Sequence, residues 1–468
     1  MKKSLLLLAG LLLLTSVAMA QSDDDLFGSD DDLFGEDDFL IEEVEDVSAK
    51  TDLSKGILFD NGSVKIGGSL SASASFSTIL YQEDSTDFAK NLENSTLAPS
   101  LGSSITLDAR PKQDLRLFSR FNINYPFADS VINVKEMFTD FNAGDYVSFR
   151  FGLHTVTWGT GLFYSPVSDM INTSSIDPEH RDEQVDGSLN LRTLINFPGT
   201  MNNLWFYVIP DKGTWLARDT ALALKSEFVF GGWELGAGAF YKYNTAPRAM
   251  LTVSGSIKKW ALFGEAVYQY GSDREWLEKQ NFEDKKSVFK ATAGFMRSWT
   301  DPNISLLAQY YYDGNDFDAS EFSDLSFYLN NMSFISEYAT QGHNIAVSLS
   351  FSKLFGCKDL SLSLLGITNI TKPKLIDLDD SKNKMMIEML AVGMDNQNAG
   401  SGKAFKDGLN QAVNSLKNSP RTILSATLNY SFNSNTSMGL GPYITLSDWE
   451  KPPVVSLKIN FTLGGGKF

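Results

Sequence analysis

The stretch Ser69–Leu80, SLSASASFSTIL, decides the fold because it alternates between two kinds of side chain. Serine occupies every odd position from 69 to 77, and the even positions carry Leu70, Ala72, Ala74, Phe76, Thr78 and Leu80. Successive side chains of a β-strand point to opposite faces of the sheet. The stretch therefore predicts a strand with one polar face and one apolar face.

The same alternation recurs along most of the chain, for example over Val455–Leu463. We count about eighteen such segments, each close to or longer than the 9–11 residues of a tilted membrane strand and longer than the usual 5–6 of a soluble strand. They lie at residues 64–81, 100–110, 114–124, 131–142, 146–157, 187–196, 202–210, 218–230, 233–244, 247–257, 260–270, 287–299, 302–313, 342–354, 358–371, 421–434, 436–447 and 453–463.

The connections between these segments fall into two alternating classes. Every second connection is, in most cases, a tight turn, such as residues 231–232 or 258–259. The long connections occupy the other positions, at residues 82–99, 158–186, 271–286, 314–341 and 372–420. A soluble β-sandwich has no reason to sort its loops in this way, whereas a membrane barrel has short turns on one rim and long loops on the other. We predict an all-β, transmembrane antiparallel barrel of about 18 strands, with 16 as the alternative if 202–210 and 436–447 are not strands.

Tryptophans flank both kinds of connection, which predicts an aromatic girdle at each membrane interface. Three lie beside short turns and four beside long loops: Trp233, Trp260 and Trp299, and then Trp158, Trp215, Trp276 and Trp449.

The N-terminal residues precede the barrel in two parts. Residues 1–20 combine two lysines, a leucine-rich run and Ala18-Met19-Ala20, which is typical of a cleaved signal peptide; an uncleaved anchor is the alternative. Residues 21–61 hold a DDDLFG repeat and thirteen acids between positions 22 and 46, so we predict a disordered periplasmic tail, either a solvated spacer or a segment that binds a periplasmic partner. The barrel then occupies 62–468, and its weak charge does not indicate nucleic-acid binding.

The architecture and the terminal Phe468 resemble the outer-membrane porin-type β-barrels of two-membrane bacteria. The stretch Arg150-Phe151-Gly152, followed by Trp158-Gly159, Pro166, Asp169 and Asn172, resembles a strand-to-loop signature of porin-like barrels. The resemblance implies an outer-membrane location among lipid and insertion by the barrel-assembly machinery through strand 453–468. It also implies passive diffusion of small hydrophilic solutes.

Enzymatic chemistry finds no support in the sequence. Common nucleophile, metalloprotease and phosphate-binding motifs do not occur, and His154, His180 and His343 are dispersed. We predict no catalytic residues, no metal site and no cofactor.

Six basic side chains are predicted to line the pore. An arginine near the lipid midplane costs about 2–4 kcal/mol, so charged side chains opposite an apolar face must point inward. The set is Arg110, Arg116, Arg120, Arg150, His154 and Arg192. It is either a basic ladder that favours anions or a wall neutralised by Asp108 and Asp140.

Loop 158–186 is the predicted constriction, because in the porins that this chain resembles the third external loop folds into the lumen. Its candidate residues are Trp158, Asp169, Asp177, Glu179, Asp182 and Glu183. An ordinary surface loop is the alternative. For the whole protein, the alternatives to a porin-like channel are a plugged barrel that transports apolar substrates and a surface adhesin or structural barrel.

Overall fold

The computed structural model describes most of the chain from Ile57 to Lys467. The described residues are 57–60, 62–83, 87–127, 131–181, 183, 185–278, 282, 285–314, 324–330, 341–371, 376–398, 400–447, 449 and 451–467. The predicted signal peptide, the acidic repeats, Asp182 and Phe468 lie outside them.

Nineteen strands form one sheet, and the strands from the second to the last close into a ring of eighteen. Each strand of the ring pairs antiparallel with the next, and the last pairs with the first, so that the prediction of about 18 strands is confirmed. The strands are β1 Ile57–Asp60, β2 Val64–Tyr81, β3 Thr96–Lys112, β4 Leu115–Tyr125, β5 Asn133–Asn142, β6 Val147–His154, β7 Ser188–Asn196, β8 Asn203–Ile209, β9 Ala221–Phe230, β10 Trp233–Tyr241, β11 Arg248–Ile257, β12 Trp260–Tyr270, β13 Ser287–Thr300, β14 Asn303–Gly314, β15 Gly342–Phe351, β16 Leu360–Asn369, β17 Thr422–Asn433, β18 Thr436–Leu446 and β19 Val454–Lys467.

The short strand β1 lies outside the ring and precedes the barrel boundary predicted at residue 62. It pairs with Lys65–Gly67 of β2, whereas β19 pairs with β2 only from Ser69 onward. β1 thus covers the end of β2 that the closing strand does not reach, and this leaves fewer backbone groups of β2 unpaired.

The two rims of the barrel differ in the length of their connections, as predicted. β9 and β10, β11 and β12, and β17 and β18 are joined on one rim by two-residue turns. The opposite rim carries the long loops, with helices α1 Phe88–Glu93, α2 Asp273–Glu278, α3 Leu325–Asn330, α4 Ser381–Gln397 and α5 Ser401–Asn418. Helices α3, α4 and α5 share an apolar cluster that includes Leu325, Ile387 and Leu409.

The outer face of the barrel is apolar and exposed. Representative side chains around the ring are between 43 % and 60 % exposed: Leu117, Phe151, Leu251, Phe289 and Leu424. A closed antiparallel sheet that surrounds itself with exposed apolar side chains is a transmembrane β-barrel, since lipid is the solvent that suits this face. In the described part of the chain, no helix is both long and apolar enough to cross a membrane.

The prediction of a tryptophan girdle beside the long loops is wrong for two of its four members. Trp158 is only 3 % exposed and Trp276 only 6 %. The ring nitrogen of Trp276 donates a hydrogen bond of 2.6 Å to the carbonyl oxygen of Tyr270. Both residues belong to long connections that pack inward, Trp158 against Tyr207 and Trp276 against Phe282, and the distance of a residue from a strand end does not reveal such packing.

Candidate functional site

The predicted basic residues lie on the inner face of neighbouring strands. In register, Arg116 faces Asp140, which faces Arg150, which in turn faces Arg192. Directly paired residues of adjacent strands point to the same side of a sheet. This side is opposite to that of Leu117 and hence faces the lumen.

Four of these arginines have carboxylates within 4 Å, and we call them the arginine wall: Arg110, Arg116, Arg120 and Arg150. Arg116 binds Asp108 through two hydrogen bonds of 3.1 Å, and Arg150 binds Asp140 through bonds of 2.7 and 3.1 Å. The Nε atom of Arg110 lies 3.5 Å from Asp108, and Arg120 lies 3.6 Å from Glu136. Bidentate pairs of this kind hold both charges in a fixed geometry. The arginine wall is therefore largely compensated by its own carboxylates.

Phe138 fills the space between these ion pairs. The guanidinium of Arg150 lies 4.0 Å from the centre of its ring. Gly152, directly opposite Phe138, has a φ of +145°, and an added Cβ would lie 2.5 Å from the Phe138 Cα. Only glycine suits this backbone position.

His154 and Arg192 point inward but do not line an open lumen. They are 1 % and 7 % exposed, respectively. His154 packs edge-on against Phe138, and the Arg192 guanidinium lies 5.4 Å from the centre of the Trp205 ring. The expectation that these two residues contact the pore water is thus corrected. Strand parity reports which face a side chain is on, and here other side chains cover that face.

The cover over this part of the wall comes from loop 158–186 and the residues leading into it. One apolar cluster combines Val156, Trp158 and Val167 with inward side chains of β7–β12. The Trp158 ring meets the Tyr207 ring edge-on at 5.0 Å, and the Lys225 ammonium donates a hydrogen bond of 2.8 Å to the Trp158 carbonyl oxygen. Burial of this apolar surface holds the loop inside the barrel.

Glu265 on β12 is the principal polar anchor of the loop. Its carboxylate accepts hydrogen bonds from the amides of Thr160 (2.6 Å), Gly161 (2.5 Å) and Val167 (3.0 Å), and from the Ser165 hydroxyl (3.0 Å). A buried carboxylate is stable only when its oxygens are satisfied in this way. Five strands, β7 to β11, lie between β12 and β6, where the loop begins, so the loop docks on a part of the wall well away from its own start.

Gln309 on β14 is the second anchor. Its Oε1 accepts from the amides of Leu162 (3.0 Å) and Phe163 (2.7 Å), and its Nε2 donates to the Tyr164 carbonyl oxygen (2.6 Å). The loop backbone passes close to both anchors, because an added Cβ on Gly161 would lie 2.9 Å from the Gln309 Nε2 and 3.0 Å from the Glu265 Oε1.

Asp169 lies in the docked part of the loop. Burial, with a smaller contribution from the nearby Glu265 carboxylate, raises the pKa of its carboxyl to about 7. Its Oδ1 atom is buried and has no hydrogen-bond partner among the described residues. The group is therefore poised to change its charge near neutral pH.

The second half of the loop contacts strand β18, away from the anchors on β12 and β14. The Tyr443 hydroxyl on β18 donates a hydrogen bond of 2.8 Å to Glu179, and the Lys458 ammonium on β19 lies 3.1 Å from the centre of the Tyr443 ring. Asp177 binds the His180 ring at 2.9 Å, and this hydrogen bond raises the pKa of His180. Glu183 lies in the same turn, its amide donating to the His180 carbonyl oxygen.

Solvent access divides the inner wall into two parts. Inward side chains on β7–β14 are buried at positions such as Asn190, Tyr207 and Gln309. On β16–β19 and β2–β4 the inward side chains are exposed or half-buried throughout. We call the uncharged part of this accessible surface the hydroxyl wall, formed by Ser425, Thr427, Ser456, Asn460, Thr462, Ser71, Ser73, Ser75, Ser77, Ser100, Ser104 and Thr106.

Several of the residues that hold the loop were missed by the sequence analysis: Lys225, Glu265, Gln309, Tyr443 and Lys458. The sequence shows only that each of them is a polar side chain at an inward-facing strand position, which does not identify it as a contact of the loop. Within the described residues, no group of three or more His, Cys, Asp or Glu side chains is arranged to hold a metal ion.

Comparison with known proteins gives matches among solved structures only. No protein-family model matches the chain, and no curated protein matches it. OccK11 (OpdR) of Pseudomonas aeruginosa superposes with a TM-score of 0.47 at 9 % identity, over 88 % of this chain and 98 % of that one. A BenF-like porin from Pseudomonas fluorescens Pf-5 gives 0.48 at 6 % identity, over 86 % and 99 %. The barrel described above rests on the strand pairing of this chain itself.

Proposed function

We propose that the protein is an outer-membrane channel through which small hydrophilic solutes diffuse passively. The observation that carries this proposal is the accessible, uncharged hydroxyl wall inside a ring of eighteen strands. A lumen filled by side chains alone suits about 8 strands, whereas 16–18 strands leave room for water. Hydroxyl and amide groups replace the hydrogen bonds that a solute loses with its water.

Loop 158–186 is the proposed constriction of this channel. Its anchors on β12 and β14 and its contact with β18 support this role, since they extend the loop across the lumen at three points. A fixed segment across a lumen reduces the free cross-section and so limits the size of the solute.

The anion bias predicted from the arginines is proposed to be weak. Carboxylates within 4 Å compensate the arginine wall, so little net positive potential reaches the solute path. Whether the channel prefers anions or cations then depends on the charged side chains that are exposed to the water in the lumen.

The orientation and the partners are also proposals. Short turns would face the periplasm and long loops the exterior, as is usual for bacterial barrels. The acidic tail 21–61 would then lie in the periplasm, where its repeats could meet a partner. Strand 453–468 would be recognised by the assembly machinery, and its apolar outer side chains would contact lipid.

Single-channel recording in planar bilayers tests the function. Purified, folded protein is expected to give discrete conductance steps in KCl. Swelling of liposomes in a small sugar would show that uncharged solutes also pass. Absence of steps from correctly folded protein would exclude a channel and favour an adhesin or structural barrel. A barrel that takes up only apolar solutes would favour the transporter alternative.

A further inference from the structure

Lys458 occupies an unusual position on the accessible side of the lumen. In register it lies between Gly441 of β18 and Ser77 of β2, so that its neighbours along the sheet are small and uncharged. Among the described inward positions of β15–β18, and of β19 up to Thr462, it is the one charged side chain. Its charge therefore acts on a surface that carries almost no other.

The opposite charge at this point comes from the loop and not from the wall. Glu179 is bound to the Tyr443 hydroxyl at 2.8 Å, and the face of the same ring receives the Lys458 ammonium at 3.1 Å. An aromatic face attracts a cation, and a phenol donates to a carboxylate. Tyr443 therefore holds Lys458 at the face of its ring and Glu179 at its hydroxyl. It does so at the place where the loop contacts the hydroxyl wall.

The arginine wall differs from this arrangement in the origin of the carboxylates that neutralise its charge. Arg116 and Arg150 are held by Asp108 and Asp140, which belong to the same rigid sheet and form bidentate pairs. Such a pair presents little net charge to a passing ion. Lys458 contacts the face of the Tyr443 ring and Glu179 its hydroxyl, so each charge is held by the tyrosine and not by a bidentate ion pair.

We propose that Lys458 and Glu179 set the charge preference of the passage between the loop and the hydroxyl wall, with Tyr443 as their positioning residue. This inference rests on the proposed channel function and adds to it the residues that sort ions. The arginine wall, although it holds more cations, contributes structure instead of selectivity.

The two charges predict effects of opposite sign. Lys458→Gln leaves Glu179 alone at the passage, which favours K⁺ over Cl⁻. Glu179→Gln removes the carboxylate and keeps Lys458, which shifts the preference toward Cl⁻. A purely structural role for either residue would change conductance or folding without such a reversal.

Reversal potentials across a KCl gradient measure this preference. The K⁺/Cl⁻ permeability ratio is expected to rise in Lys458→Gln, to fall in Glu179→Gln and to stay near the wild-type value in the double Arg120→Gln/Glu136→Gln variant, which removes an arginine of the wall together with its carboxylate. Tyr443→Phe keeps the ring but removes the hydroxyl, and it is expected to increase open-channel noise because the loop tip is released. Each variant is first checked for the heat-dependent gel mobility of a folded barrel.

Unchanged ratios in both single variants, or shifts of the same sign, would overturn the inference while the channel function stands. A shift in the arginine variant equal to that of Lys458→Gln would assign selectivity to the arginine wall. If wild-type protein gives no conductance, the proposed function fails and this inference fails with it.

Discussion

The backbone amide of Val167 donates a hydrogen bond of 3.0 Å to the carboxylate of Glu265, and 98 residues separate the two in sequence. The bond joins the loop that follows β6 to the inner face of β12. Together with the amides of Thr160 and Gly161, it makes a single carboxylate the anchor of a segment docked on the inner face of the barrel.

Replacement of Glu265 by Gln is expected to loosen this loop. One oxygen becomes an NH2 group that faces backbone donors, and hydrogen bonds to a charged acceptor are each worth about 1.5–3 kcal/mol. We expect a larger mean conductance and more current noise in single-channel recording. Thr252→Val, at the neighbouring buried inward position, is the matched control and should behave as wild type. Conductance unchanged in Glu265→Gln would show that apolar packing alone holds the loop.

Docking of the loop is expected to depend on pH through Asp169. Because its pKa is raised from 3.8 to about 7, the docked state binds the proton more tightly than an undocked loop does. The stability of docking is therefore greatest below about pH 4 and falls as the pH rises to about 7. Amide hydrogen exchange of loop residues at several pH values measures this trend.

The variant Asp169→Asn mimics the protonated form and should remove the trend. Asp186→Asn, which changes another exposed acid of the same loop, should leave it in place. Equal slopes in wild type and Asp169→Asn would rule out Asp169 as the titrating group.

Gly161→Ala is expected to displace the loop at its anchors. Its Cβ would lie 2.0 Å from the Tyr164 carbonyl oxygen, a backbone atom that cannot rotate away. Gly393→Ala, on α4, meets no atom within 4 Å and should stabilise its helix by about 1 kcal/mol. Limited proteolysis of the loop separates the two, since only Gly161→Ala should accelerate cleavage.

Asp140→Asn is expected to uncover the charge of the arginine wall. The substitution removes the carboxylate bound to Arg150 and lying 3.8 Å from Arg116, and the K⁺/Cl⁻ permeability ratio should fall. Asp145→Asn removes the same formal charge in an exposed turn and serves as the control. Equal ratios in the two variants would show that the wall is remote from the ion path.

The strands could be predicted from sequence because period-two alternation is local. Every predicted segment overlaps a strand of the ring, and β2 has the predicted bounds 64–81. Parity also placed Arg116 and Arg150 on the inner face, since lipid excludes charge from the outer one. The extension of β19 to Lys467 was missed, because Gly464–Gly466 has no alternating side chains.

The loop anchors could not be predicted in the same way. Glu265 binds residues about 100 positions earlier in the sequence. The alternation of side chains along a strand does not reveal which loop residues will contact that strand inside the barrel. The burial of His154 and Arg192 follows from that docking and was equally hidden. The local alternation therefore predicted the strands of the barrel wall, whereas the docking of loop 158–186 on the inner face could be seen only in the tertiary structure.

The seam between β19 and β2 has a consequence for how the chain becomes a barrel. Val455 pairs with Tyr81, and Lys467 pairs with Ser69, so the final pairing joins strands from opposite ends of the ring sequence. A nascent chain that still lacks β19 has an unsatisfied edge on β2 and another on β18, and lipid tolerates neither. Closure of the ring must therefore await β19, so the glycine-rich last strand is the one that removes both edges at once.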